Sequence, residues 1–256
     1  MKKILTALLA IMVILSLSGC NKKTSGNHSP TPETTPNAQR PIDSDITVTP
    51  DVNDQQSLDD VEYALSEDFE NIISSLETEW EELKGVVDSY NSYIENIEKI
   101  EGFYDKVNKT NTQMCIMMYE YALKYADIIM STNESADDMY DAFDKIYDSV
   151  YDDAGDDLYD EIYDGLFDEM YDSFYDGIID DAYDTVPYKD WSKIHSNEYD
   201  MWSDSRSDVY DNWSDARSDI YDFWSDVRGD LWDNDMEDAK ERIEDFRNDI
   251  SKIKNS

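Results

Sequence analysis

The strongest constraint on how this chain can fold is a run in which aspartate occupies every fourth position from Asp144 to Asp184. The residue before each aspartate is usually tyrosine: Phe143, Tyr147, Tyr151, Gly155, Tyr159, Tyr163, Phe167, Tyr171, Tyr175, Ile179 and Tyr183. One place earlier stands an apolar row: Ile146, Val150, Ala154, Leu158, Ile162, Leu166, Met170, Phe174, Ile178 and Ala182. A strand alternates every two residues, and two apolar positions followed by two polar ones do not fit that alternation. A helix fits better. On an α-helix four residues turn the chain by about 400°, so the stripe is expected to drift about 40° per repeat and to need a partner that wraps with it.

A second array follows Pro187, a residue that either ends one helix or opens the next. Tyr188, Trp191 and Ser192 recur as Tyr199, Trp202 and Ser203, as Tyr210, Trp213 and Ser214, and as Tyr221, Trp224 and Ser225, each set following the last at the eleventh position. The apolar seam steps through Trp202, Ser205, Val209, Trp213, Ala216, Ile220, Trp224, Val227 and Leu231. Steps of three, four and four favour a straight or slightly right-handed helix pairing. Beyond Leu231 the seam shifts by one residue and becomes a heptad through Trp232, Met236, Ala239, Ile243, Phe246, Ile250 and Ile253. An unbroken helix from Pro187 to Ile253 would be about 100 Å long.

Upstream, Leu65, Phe69, Ile72, Leu76, Leu83, Val87, Tyr90, Ile94 and Ile97 trace another heptad seam, with Trp80 covering the irregular step. Gly85 interrupts that seam without breaking its phase. Gly102 and the polar run Asn108 to Thr112 suggest a helix end and a connection, with a second helix from Thr112 to Met130 and a turn over Ser131 to Ser135. Only 8 glycines and 6 prolines are present, too few for a β-rich body. The prediction is an all-α chain: an elongated long-helix bundle or coiled coil with tetrad, eleven-residue and heptad repeats, preceded by a disordered linker. Its expected segments are a signal peptide (1–19), a lipidated cysteine and linker (20–56), a heptad helix and second helix (57–134), the tetrad helix (135–186) and the eleven-residue-repeat helix with its heptad tail (187–256).

Charge narrows the partners. The formal net charge is −40, which repels nucleic acid and anionic lipid headgroups and favours cations and basic proteins. The plain reading of the aspartate rows is a solvated acidic face. The sharper one is weak, multiple calcium binding, with Asp148, Asp152, Asp156, Asp160 and Asp164 as candidate ligands. Asp51 to Glu62 loosely follows a calcium-loop spacing but has Gln56 where the turn needs glycine; Ser57 and Asp60 there read as a helix capping box.

Beside the eleven-residue seam runs a candidate aromatic and cation ladder: Trp202, Arg206, Tyr210, Trp213, Arg217, Tyr221, Trp224, Arg228 and Trp232. Each arginine lies four residues from an aromatic on either side, and His195 fills the same slot between Trp191 and Tyr199. Guanidinium stacking would make this ladder structural; the rival is an exposed strip that binds glycans or a basic protein. No phosphate-cradling glycine loop, nucleophile elbow or His/Cys cluster points to catalysis.

The first residues have three parts. Lys2 and Lys3 precede the mostly apolar stretch Ile4 to Leu17, and Leu17-Ser18-Gly19-Cys20 follows. The apolar run is short for a spanning helix. The tetrapeptide resembles the bacterial lipobox at all four positions, and that resemblance implies lipidation of Cys20 and anchorage on the extracytoplasmic side of a cell membrane. Cys115 is then the remaining cysteine and reads as a small buried hydrophobe. The eleven-residue repeats resemble those of exchangeable apolipoproteins and desiccation-protective proteins, but lysine is scarcer and aromatics more abundant here, so neither function is carried over. The sequence thus leads to a non-catalytic, membrane-anchored surface scaffold with helical partners or a homo-oligomeric seam.

Overall fold

The computed structural model describes residues 57–132 and 134–254, all within one unit that spans Thr49–Ser256. The described residues are helical, with no strand among them. Cys20 and the 20–56 segment lie outside them, as does the calcium-like spacing up to Gln56.

Helix α1, Leu58–Val86, opens with the expected capping box: the Ser57 side chain accepts from the Asp60 amide, and Asp60 accepts from the Ser57 amide. Its buried residues, Val61, Leu65, Phe69, Leu76, Trp80 and Leu83, follow the predicted heptad. The seam does not continue as one helix. Ser89 caps a short α2, Tyr90–Glu95, by accepting from the Ser92 amide; Tyr93 is buried there while the expected seam residue Ile94 is exposed.

Helix α3 runs without a break over Ile97–Ser131, so neither Gly102 nor the polar run Asn108 to Thr112 ends it. Packing overrides local preference here. Val107, Asn111, Met114 and Cys115 all face the core, and Asn111 donates its side-chain N–H to the Val209 carbonyl at 3.3 Å. Ser135 then caps the next helix by accepting from the Asp138 amide.

The tetrad segment forms helix α4 over residues 136–179, but it is not purely α-helical. After α-helical turns at Ala136–Ala142 and Asp144–Ile146 come π-helical stretches at Tyr147–Ala154, Tyr159–Leu166 and Tyr171–Ile179, separated by α-helical Gly155–Leu158 and Phe167–Met170. This corrects the expected drift. A pure α-helix would carry the stripe about 280° around the axis in seven steps, yet Ile146, Val150, Ala154, Leu158, Ile162, Leu166, Met170 and Phe174 are all buried. Bonds from i to i+5 wind more residues into each turn than 3.6, and alternating the two forms brings the mean to about four. The helix has adopted the period of its sequence. Gly165 and Gly177 permit it: a Cβ at either would stand 3.0 Å from the carbonyl oxygen five residues earlier, Asp160 or Asp172.

Helix α5, Tyr188–Trp232, is 45 residues long and runs antiparallel to α4. The expected continuation to Ile253 does not occur. Asp233 ends the helix, and Asn234 takes a left-handed φ of 59°. Asp235 N–H bonds the Asp230 carbonyl and Asn234 N–H the Leu231 carbonyl, a complete Schellman stop. Helix α6, Met236–Ile253, capped by Asp235, folds back so that Phe246 stacks on Phe223 at 4.0 Å and Arg247 pairs with Asp127 of α3 at 2.7 Å. The one-residue seam shift after Leu231 therefore marks a hairpin. The three expected helical segments share one core: α1, α3, α4 and α5 alternate in direction and enclose it, and α6 covers the flank of α3 and α5.

Candidate functional site

The two arrays meet along the α4–α5 contact, where they build repeating tiers. Tyr171 and Tyr175 stack at 4.7 Å, and Trp202 of α5 packs on Tyr171 at 4.7 Å. Twelve residues earlier on α4, Tyr159 and Tyr163 lie 4.7 Å apart, slightly tilted, and Tyr159 meets Trp213, eleven residues later on α5, at 4.7 Å. Tyr147 and Tyr151 at 4.8 Å meet Trp224 at 4.9 Å. Twelve residues of mixed helix thus advance as far as eleven of α-helix, and the contacts stay in step.

Indole nitrogens fasten the tiers. Trp202 Nε1 donates to the Phe167 carbonyl at 2.9 Å and Trp213 Nε1 to the Gly155 carbonyl at 2.7 Å. Both carbonyls open a four-residue α-helical segment, and at its far end, where π-helix resumes, one amide is shared: Tyr171 N–H between Phe167 and Asp168, Tyr159 N–H between Gly155 and Asp156. A carbonyl has two lone pairs, and the indole takes the one the divided backbone bond leaves open. Trp191 makes the same contact to Ile179 at 2.8 Å, whereas Trp224 Nε1 is buried without a partner.

The arginines fill the gaps between tiers. The expected platforms on α5 are half right. Arg206 lies 5.2 Å from the Trp202 ring, but its second platform is Tyr163 of α4, at 4.1 Å, and not Tyr210. Arg217 sits between Trp213 and Tyr151 rather than Tyr221, and Arg228 between Trp224 and Tyr140 rather than Trp232. His195 occupies the matching slot between Trp191 at 4.4 Å and Tyr175 at 4.3 Å. Trp232 is largely exposed and leans on Tyr140 at 5.6 Å.

These cations account for several of the aspartates. Arg206 pairs with Asp164 at 3.3 Å and Asp168 at 3.4 Å, Arg217 with Asp156 at 2.8 Å and Asp152 at 3.6 Å, and Arg228 with Asp144 at 3.0 Å. Of the five calcium candidates, Asp152, Asp156 and Asp164 are thus ion-paired, while Asp148 and Asp160 are exposed. Among the described residues no group of three or more His, Cys, Asp or Glu side chains is placed to hold a metal ion.

One buried charge escapes a reading by apolar spacing. Glu198 is fully buried and stands where later repeats have Val209, Ile220 and Leu231. Its carboxylate accepts from the Tyr93 hydroxyl of α2 and from the Tyr104 hydroxyl of α3, the latter at 2.7 Å. Burial pushes its carboxyl above the ordinary range against the two hydroxyl bonds, and burial beside Glu198 raises both phenols. A seam traced through apolar residues starts at Trp202 and passes Glu198 by; the Val/Ile/Leu slot extended one repeat backwards from Val209 lands on it. Cys115 is buried as expected, and burial pushes its thiol up to about 12, far from a reactive thiolate.

A solvent-open hollow of about 630 Å³ is lined by Asp245, Asn248, Asp249 and Lys252. A shallow hollow of about 270 Å³ lined by Asn108, Lys109, Thr112, Asp208, Asp211 and Asn212 opens to solvent. No helix among the described residues is long and apolar enough to cross a membrane. No family model matches the chain, and no curated protein or solved structure is significantly similar to it.

Proposed function

We propose that this chain is a non-catalytic, extracytoplasmic interaction scaffold, anchored through lipidated Cys20 and the 20–56 spacer, whose helical body presents an acidic aromatic surface. The supporting observation is how the tryptophan row is used. Trp191, Trp202 and Trp213 spend their indole N–H groups on the backbone of the facing helix, so these rings act as fasteners between helices rather than as the lining of a substrate pocket. The paired Arg206 and Arg217, with side chains only 23% and 17% exposed, belong to the same fastening. The anchor rests on the lipobox resemblance of Leu17-Ser18-Gly19-Cys20.

Two experiments test the two halves. Cys20→Ser should move the protein from the membrane fraction to the medium; continued membrane fractionation rejects the anchor. Quencher access to tryptophan in the ligand-free Trp232→Phe variant, which removes the largely exposed indole, should be low for a scaffold. Freely quenched indoles that become shielded only on adding a ligand would favour a pocket-type binder.

A further inference from the structure

The eleven-residue repeat also leaves one aromatic row facing outward. Tyr199, Tyr210 and Tyr221 are 46%, 42% and 43% exposed, so the three occupy equivalent positions on one face, spaced by three turns or about 16 Å. Each ring is propped from behind, Tyr210 by Tyr163 at 5.5 Å and Trp213 at 5.5 Å, which holds it in place with part of its surface open. An exposed aspartate follows each in sequence: Asp200, Asp211 and Asp222.

We propose that this tyrosine row is a docking strip for an arginine-bearing cationic segment of a partner polypeptide. It names the partner for the interaction role above and rests on that reading, though not on the lipid anchor. Charge selects the occupant. A second copy of the chain would bring another net charge of −40 against the same face, and anionic partners are repelled in the same way. Guanidinium is favoured over ammonium because the molecule already shows how this surface chemistry is satisfied: each interior arginine is held between a tyrosine and a tryptophan with aspartate at its edge. Tyrosine and aspartate recur together on the outside. The spacing sets the partner's pattern, since about 16 Å along one face corresponds to arginines about eleven residues apart on a helix, whereas a strand would turn odd-numbered neighbours to its other face.

The test uses the full chain and two synthetic helix-forming peptides of equal charge, one with three arginines and one with three lysines at an eleven-residue spacing, near physiological ionic strength. Three stacked guanidinium contacts predict an arginine preference of about tenfold or more. The variant Tyr199→Leu/Tyr210→Leu/Tyr221→Leu keeps apolar bulk and charge, and should bind both peptides equally, at the level the wild type shows for lysine. A circular dichroism melt checks its folding, and Tyr210→Leu alone should lose part of the preference if the triple variant melts early. Equal binding of the two peptides by wild type, or an arginine preference that survives the leucine substitutions, overturns the proposal. So does displacement of the arginine peptide by a neutral oligosaccharide, which would make the strip a glycan site.

Discussion

Replacing Glu198 by alanine should destabilise the bundle severely, and replacing its whole cluster should not. The carboxylate accepts from two phenols in a slot where the other repeats carry aliphatic side chains. Glu198→Ala strands both hydroxyls, each worth about 1–3 kcal/mol when buried unpaired, and opens a cavity; the hydroxyls alone come to about 2–6 kcal/mol. For a domain stable by about 5–15 kcal/mol, that is a large share. Glu198→Leu combined with Tyr93→Phe and Tyr104→Phe removes every polar atom of the cluster and fits the repeat. Such replacements of buried charged clusters are commonly neutral or stabilising by about 1–4 kcal/mol. Urea titrations monitored by circular dichroism, with m-values fitted freely, measure both. If the triple variant is as unstable as Glu198→Ala, or the single change is silent, the account of this site is wrong. The cluster also marks one tier among near-identical ones. In the triple variant, cysteine cross-linking between α4 and α5 should therefore report shifted registers that the wild type excludes.

Other outcomes follow from the same geometry. Trp213→Phe should cost about 1 kcal/mol more than Trp224→Phe, because Trp213 donates to the Gly155 carbonyl and Trp224 donates to nothing; equal melting temperatures would contradict this. Arg217→Lys should lower stability by about 1 kcal/mol in thermal melts despite conserving charge, since ammonium cannot reproduce the guanidinium stacked between Trp213 and Tyr151. Gly165→Ala should destabilise, because its Cβ meets the Asp160 oxygen at 3.0 Å, whereas Gly229→Ala, with open space around it, should not. Stability should rise as pH falls through the raised carboxyl values towards the ordinary carboxylate range. Glu198, Glu77, Asp153 and Asp157 hold their protons more tightly in the fold than in the unfolded chain, so their contribution is complete below the ordinary carboxylate range and is lost as pH climbs through the raised folded values. The raised phenols of Tyr93, Tyr104 and Tyr119 carry the same sign, adding a second loss above about pH 10. A melting temperature that peaks at pH 9 would refute the carboxyl assignment, and one that stays level as pH rises above 10 would refute the phenol assignment.

Much of the fold is visible in the periods. Ser205, Val209, Ala216, Ile220, Val227 and Leu231 of the eleven-residue seam are buried, with Trp213 and Trp224 half-buried between them, and the apolar row from Ile146 to Phe174 is buried throughout. The winding of α4 is hidden when a period of four is laid on an α-helical lattice, and nothing in single-residue propensities announces i to i+5 bonding. A longer period does carry the signal. Phe143, Gly155, Phe167 and Ile179 interrupt the tyrosine row at every twelfth position, and Gly165 and Gly177 repeat at the same distance. Helix ends are less legible, because Gly102 and Asn108 to Thr112 are tolerated inside α3 once Val107 and Met114 are buried, a tertiary effect no local pattern records. The ladder's cations can be found from sequence, but their second platforms cannot, because a four-residue offset on one helix says nothing about which rings a neighbouring helix brings.

The unequal pitch of the paired arrays restricts how such a chain can change size. One whole tier of twelve inserted into α4 would displace every later indole by one step unless α5 gained its own tier of eleven at the matching place. Length behaves like a gear ratio, with two tooth counts that must change together. Descendants of this sequence with a longer or shorter reach should differ by paired blocks of twelve and eleven, and single-segment insertions should be confined to the connections that follow α3, α4 and α5.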